Sequence, residues 1–294
     1  MGSSVLLLNL LFDGLVLGCI YGLMGIGFSL LWWISGIVHL AHGGVMLAGG
    51  FALYVAFGAL GLPFVLAFPL ACVLALAAGL ALDRFLYKPL IARGTDEMGL
   101  LTASLGTLIT MQYALTLIFG PQGVTMDADR LRAPLVPRLL PVFDLFAVLA
   151  IAATALIFVG LWFLMAHTRI GREMRAVAEN RDLARILGTD IRAVQTLVGA
   201  VAAALVMPAA AFLLFSTGIT PPEALDIVLI ASVVAIIGGR GSIHGALIGG
   251  IVIGIAESAT TWQFAAGWRQ LITFALLYAL LLVRPQGLFG KATA

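Results

Sequence analysis

Apolar runs of about 20 residues follow one another along almost the whole chain, with short polar stretches between them. Nine such segments can be marked, at roughly 5–33, 37–60, 63–86, 99–119, 143–166, 194–216, 225–238, 244–262 and 269–284. About 20 residues rising 1.5 Å each cross the roughly 30 Å hydrocarbon layer of a bilayer as a helix. The alternating pattern of an outer-membrane barrel is missing. The pattern therefore predicts an all-α, polytopic membrane protein with eight or nine transmembrane helices, residues 1–294 forming one domain. The first segment is too long for one straight span, which suggests a break inside it. The seventh, of about 14 residues, suggests a re-entrant or broken helix.

Composition excludes an ordinary soluble domain. The chain is 62% hydrophobic and 10% charged, with a mean hydropathy of +1.12, whereas soluble proteins carry about 25% charged residues. Charge matters more by placement than by its total of +2. Twelve of the 16 basic residues fall on one side of the predicted spans: Arg84, Lys88, Arg93, six arginines from Arg169 to Arg192, Arg240, Arg284 and Lys291. Arg130, Arg132, Arg138 and Arg269 fall on the other. The positive-inside bias makes the first side cytoplasmic, so nine spans put the N-terminus outside and the C-terminus inside. The N-terminus lacks a basic leader region and reads as a permanent helix. Gly120 to Pro141, with four prolines, reads as a long irregular connector on the periplasmic side. Cys19 and Cys72 lie in separate apolar runs and are expected to be free thiols.

Between the fifth and sixth runs lies a charged island, 168–192, carrying a predicted short helix from Arg172 to Asn180 and a second turn from Arg181 to Leu187. Gly171 is expected to break the preceding span, and Gly188 to end the second turn as its C′ residue. Met174, Val177 and Ala178 would share one face, with Arg172, Arg175 and Glu179 elsewhere. Leu183, Ile186 and Leu187 are further apolar positions, suited to insertion into a groove on a soluble protein. The alternative is a helix pair resting on lipid headgroups. Glu173, Glu179, Asp182 and Asp190 among the arginines weigh against a simple anionic-lipid binder.

Polar groups at membrane depth are the remaining candidates, because an ionisable side chain there is costly unless it meets a partner or water. Asp13, His39, His42, Gln112, Asp226, Glu257 and Gln263 qualify, and a tentative translocation path would use His42, Gly43, Gln112 and Glu257. His39 and His42, without neighbouring cysteines or carboxylates, make a poor metal site; hydrogen bonding at a helix start is the better account. Gly14, Gly18 and Gly22, like Gly245 with Gly249 and Gly250 with Gly254, are spaced four apart and predict close helix crossings. HGGVMLAGG from His42 and HGALIGG from His244 form a weak echo, parallel in the predicted topology. No phosphate-binding loop, H-E-x-x-H, G-x-S-x-G or C-x-x-C occurs, so no catalytic residues are assigned.

GLVLGCIYGLMGIGFSLLW, IVHLAHGGVMLAGGF, the island, IGGRGSIHGALIGGIVIGIAES and LLVRPQGLFG occur in that order. Together they resemble the LivH-type permease of branched-chain amino acid ABC importers over nearly the whole chain. The resemblance implies the ABC importer permease fold in the bacterial inner membrane and a second, LivM-type permease. It also implies two cytoplasmic ATPase subunits carrying ATP and Mg, a periplasmic amino acid-binding protein, and no nucleic-acid partner or cofactor on this chain. It makes the island the loop that docks into the ATPase, through Gly171, Arg172, Arg175, Ala178, Glu179, Asn180, Leu187 and Gly188. His39 stands where the family commonly has Asn, and Gly44 where an acidic residue is common, which leaves cargo open among branched-chain and other amino acids, urea and short amides. An ion-gradient transporter using Glu257 and Asp226, or a channel for a small polar solute, is the alternative reading.

Overall fold

The computed structural model describes residues 2–126, 145–264 and 266–290. Most of the proline-rich connector, including Arg130, Arg132 and Arg138, lies outside the described residues, as does Lys291. Helices account for almost all the described chain: eight are long and apolar enough to cross a membrane, and a ninth, α12 (Arg269–Val283), is shorter.

The first apolar run forms α1 (Gly2–Ser35), one continuous helix of 34 residues. The expected break does not occur: the segment contains no proline, and its glycines serve packing instead. At 1.5 Å per residue it is about 51 Å long, so it tilts or projects beyond the hydrocarbon layer. It runs antiparallel to α11 (Ile243–Gln263). A methyl group on Gly254 would lie 2.2 Å from the Gly18 nitrogen, and one on Gly250 2.4 Å from the Gly22 nitrogen. The two backbones touch, as the four-residue glycine spacing predicts.

The second run begins differently from expectation. Residues 37–41 are not helical, and α2 (His42–Leu53), extended by a π-helical turn (Tyr54–Ala59), starts only at His42. α3 (Phe64–Leu82) likewise passes through a π-helical turn (Asp83–Tyr87) into α4 (Lys88–Ala92). α5 (Glu97–Phe119) is capped by Asp96, whose side chain accepts from Gly99 N. After α6 (Leu145–His167), the island forms α7 (Arg169–Glu179) and α8 (Arg181–Ile186). α9 (Ile191–Ser216) follows, capped by Asp190. A 3-10 turn (Pro221–Glu223) then enters α10 (Ala224–Gly238), and the two make one unbroken span of 18 residues. The re-entrant reading of this segment is thereby corrected: the missing length is supplied by the turn at Pro221.

The basic loops meet at one end of the bundle. Arg181 Nη2 donates to Ile34 O at 3.1 Å, and the Arg240 guanidinium lies 4.9 Å from the Trp32 ring centre while donating to Trp32 O. There the final PQGLFG segment is pinned to the α10–α11 corner, with Leu288 N donating to Ile237 O at 2.8 Å. Arg269 sits at the opposite end, donating to Thr261. α2 and α11, which carry the sequence echo, run in the same direction from the basic end. Cys19 is buried and Cys72 half-buried, both free.

Candidate functional site

The non-helical stretch 36–41 turns back into the bundle from the end of α1. Ser35 Oγ donates to Leu31 O, and Gly36, at φ +70, reverses the chain. The return carries His42 back into the interior of the bundle. Its imidazole lies against Gly27, where an added methyl would sit 3.0 Å from Nε2. Gly27 is eight residues short of the end of α1, about 12 Å along the helix. Irregular backbone at such depth is tolerated only inside protein or beside a cavity.

Both conditions are met here. Ala41 N donates to Ser104 Oγ on α5 at 2.9 Å, and Tyr87 OH donates to the same oxygen at 2.8 Å. Tyr87 OH also meets His39 Nδ1. The π-helical turn of α3 brings this tyrosine inward, since its extra residue shifts the register of the helix face. Beside the network, α1, α2, α3 and α9 leave a small cleft of about 40 Å³, lined by His39, His42, Tyr87 and Gln195 and by apolar groups such as Leu31 and Val45. At its rim Asp83 is paired with Lys88 at 2.7 Å, and Thr196 of α9 bridges the two. Among the described residues, His42 Nε2 is buried without a hydrogen-bond partner.

Of the tentative path residues, His42 lines this cleft and Gly43 backs it, for a methyl on Gly43 would lie 2.6 Å from Ala224 O of α10. Gln112 lies on α5 next to Met111, which packs on Gly44, and is not part of the lining. Glu257 is elsewhere. It is 1% exposed, and its two oxygens accept from Tyr21 of α1 at 2.8 Å and from Thr273 of α12. That arrangement ties three helices together and aims neither oxygen at the cleft. Tyr87, Ser104, Asp83 and Gln195 were not singled out from sequence. An isolated hydroxyl or amide in an apolar run gives no periodic signal; the carboxylate–lysine pair five residues apart was the available clue.

The island is built by capping. Thr168 accepts from Gly171 N to start α7, and Asn180 Oδ1 accepts from Leu183 N to start α8. The break from α6 therefore falls at Thr168, not at Gly171. Gly171 is helical, and it is needed because a methyl there would lie 2.4 Å from the carbonyl oxygens of Leu164 and Met165. Met174 and Val177 are buried, Ala178 is half-buried, and Arg172 and Glu179 face solvent. Arg175 turns inward to donate to Met165 O, so it holds α7 on α6 and is not part of the outer face. Gly188, at φ +85, closes α8: its N–H meets Arg185 O, and Thr189 N meets Ala184 O. Those two bonds make a Schellman cap. Leu183, Ile186 and Leu187 are left 52%, 80% and 74% exposed at the arginine-rich end.

Residues 10–281 match the family model for the branched-chain amino acid transport system permease component. The chain belongs to that family. It is 30% identical to the high-affinity branched-chain amino acid transport system permease protein LivH of Escherichia coli, over 97% of this chain and 96% of that protein. It is 29% identical to the corresponding BraD of Pseudomonas aeruginosa, with the same coverage. Among solved structures, a chain of PsaBC from Streptococcus pneumoniae, determined in complex with Fab, superposes with a TM-score of 0.54 at 15% identity, covering 94% of this chain and 92% of that one. That likeness concerns the fold. The protein is thus a multi-pass membrane permease subunit of an ABC importer, and it works with partner subunits.

Proposed function

We propose that this permease carries branched-chain or closely related neutral amino acids inward across a bacterial inner membrane, driven by ATPase subunits that dock on α7 and α8. The amino acid class rests on the LivH and BraD relatives, whose names state it. The coupling role rests on one observation: three large apolar side chains, two in α8 and one on its C-cap residue Leu187, stand exposed beside arginines on a capped helix pair. Such knobs fit a groove on a soluble subunit, and Gly171 and Arg175 fix their base to α6. Two ATPase copies binding ATP and Mg, a LivM-type second permease and an external binding protein complete the assembly. Movement of α8 reaches α1 through Arg181, which donates to Ile34 O next to the 36–41 stretch. ATP binding then biases the bundle between two packings, a rocking transition.

The test is uptake of labelled L-leucine into proteoliposomes holding the assembled complex with its external binding protein. ATP-dependent uptake is expected for the unaltered protein, and Ile186→Glu with Leu187→Glu should abolish both uptake and ATPase co-purification while the permease still elutes as a single species. Unchanged uptake in that double variant would defeat the coupling role. An ion-gradient transporter would instead accumulate cargo without ATPase subunits.

A further inference from the structure

We infer that a groove on the outer side of α3 and α9 holds one phospholipid molecule, with an ethanolamine-type headgroup at the basic end of the bundle. The groove flanks the α3–α9 contact on the side away from the histidine cleft. From α9 it takes Arg192, Thr196 and Ala200, whereas the cleft takes Gln195, Gly199 and Ala203. Across from them stand Leu80 of α3 and Lys88 at the start of α4. The π-helical turn between those two elements shapes this wall. Residues five apart in an α-helix point about 140° away from each other, but the i→i+5 bonding of the turn brings Lys88 round to the face of Asp83. Lys88 then meets Asp83 at 2.7 Å and Thr196 at 3.0 Å, which ties the two walls together.

Polarity changes along the groove in step with a bilayer. One end carries Lys88, Asp190 and Arg192, and the other Leu80, Leu197 and Ala200. Lys88 lies eight positions from Leu80, and Arg192 eight from Ala200, so each wall runs about 12 Å at 1.5 Å per residue. The headgroup layer on each face of a bilayer is roughly 5–8 Å deep. A wall of that length therefore begins among headgroups and ends against acyl chains. The span Phe64–Ala92 has 29 residues, about 43 Å of helix against a core of about 30 Å, which leaves Lys88 outside the hydrocarbon. The groove offers about 490 Å³ and is open along its length, with Leu80 and Leu197 both exposed in it. An open furrow that is charged at one end and apolar at the other suits a chain molecule lying along it.

Charge at the polar end selects the headgroup. Lys88 is balanced by Asp83 and uses two of its three donors on Asp83 and Thr196. Arg192 engages only its backbone among the described residues, so its guanidinium fork is free for a phosphate. Asp190 caps α9 with one carboxylate oxygen, which accepts from Arg192 N and Ala193 N, and its second oxygen has no partner among the described residues. Arg192 and Asp190 are thus the two uncompensated charges, one of each sign. A phosphate joined to a primary ammonium answers both. A purely anionic headgroup would leave Asp190 facing like charge, and a choline has no N–H for that carboxylate to accept.

Native mass spectrometry of the purified full chain, delipidated in detergent and titrated with lipids of matched acyl chains, tests the inference. One phosphatidylethanolamine per chain should be retained, several-fold more tightly than phosphatidylglycerol or phosphatidylcholine. Arg192→Gln should weaken that retention roughly fivefold, the loss of a charge-assisted contact. Its side chain holds nothing in the fold, so the variant should elute as the unaltered protein does. Asp190→Asn keeps a capping oxygen but loses the charge, and should remove the preference for ethanolamine over glycerol while the phosphate still binds. Arg284→Gln, a basic residue at the same end but outside the groove, should change neither. Equal or reversed retention of the three lipids, undiminished retention in Arg192→Gln, or a matching loss in Arg284→Gln would overturn the site. Phosphoethanolamine without acyl chains should fail to displace the lipid; displacement would make the occupant a free headgroup and sink the proposal. None of these readouts involves cargo or ATPase subunits, so the importer reading stands or falls separately.

Discussion

At the scale of single residues, burial and hydrogen bonding divide the polar groups that sequence alone could only gather. Glu257 and His42 both stood out as polar residues in apolar runs, yet their surroundings differ. Glu257 accepts from two hydroxyls on two other helices, and His42 Nε2 has no hydrogen-bond partner among the described residues. Glu257→Ala should leave Tyr21 and Thr273 buried without their acceptor, at about 1–3 kcal/mol for each orphaned group. The expected result is a clear drop in thermal unfolding temperature in detergent, while Glu257→Gln, which keeps one acceptor oxygen, loses less. A Glu257→Ala protein with unchanged stability but no transport would instead place this carboxylate on the path. Sequence could flag these positions because charge is rare at depth. It could not supply their partners, since Tyr21 and Glu257 are separated by 236 positions.

Among elements, the island was the most legible, because capping is written locally. Thr168, Asn180 and Gly188 each act on a backbone group within five residues of themselves, and the amphipathic face could be read from spacing alone. What could not be read was which arginines face inward: Arg175 and Arg181 reach carbonyls on α6 and α1, and only the fold brings those within range. Asn180→Ala removes the α8 cap and should cost about 1 kcal/mol locally; Gly188→Ala forces a side chain into the left-handed region at a similar cost of about 1 kcal/mol. Each single change should lower ATP-driven uptake several-fold without altering elution of the permease, and the pair should lower it further. Full uptake in the pair would mean that the seating of α8 does not transmit force. The helix crossing at Gly18 and Gly254 is the contrasting case. There Gly254→Val must separate two backbones, a strain at or above the upper end of the usual 1–3 kcal/mol for overpacking, and the expected result is aggregation in detergent. A monodisperse, heat-stable Gly254→Val protein would deny the crossing.

For the whole molecule, span number followed from run length, a global sum that forgives local error, and arginine placement adds an expected direction. The boundaries that sequence misplaced are those where tertiary contacts override the apolar pattern. The run at 37 begins as irregular chain because Ser104 and the Gly36 reversal hold it off helix, and the short seventh run is completed by a turn whose prolines resemble a loop. The resulting topology has a direct check. In a protein with Cys19→Ala and Cys72→Ala, single cysteines at Leu187 and at Leu60 sit on exposed positions at opposite ends of the bundle. A membrane-impermeant maleimide added to intact cells, with the outer membrane permeabilised, should label Leu60→Cys and leave Leu187→Cys unlabelled until the inner membrane is opened. The reverse pattern would put α8 beyond the reach of any cytoplasmic ATPase. Labelling of both in sealed cells would mean that the reagent had crossed the inner membrane, which an impermeant cytoplasmic control protein in the same cells reports. With that control silent, the two cysteines fix the direction of α2, α3, α6 and α9 together, since each of these helices joins or adjoins one of the labelled ends.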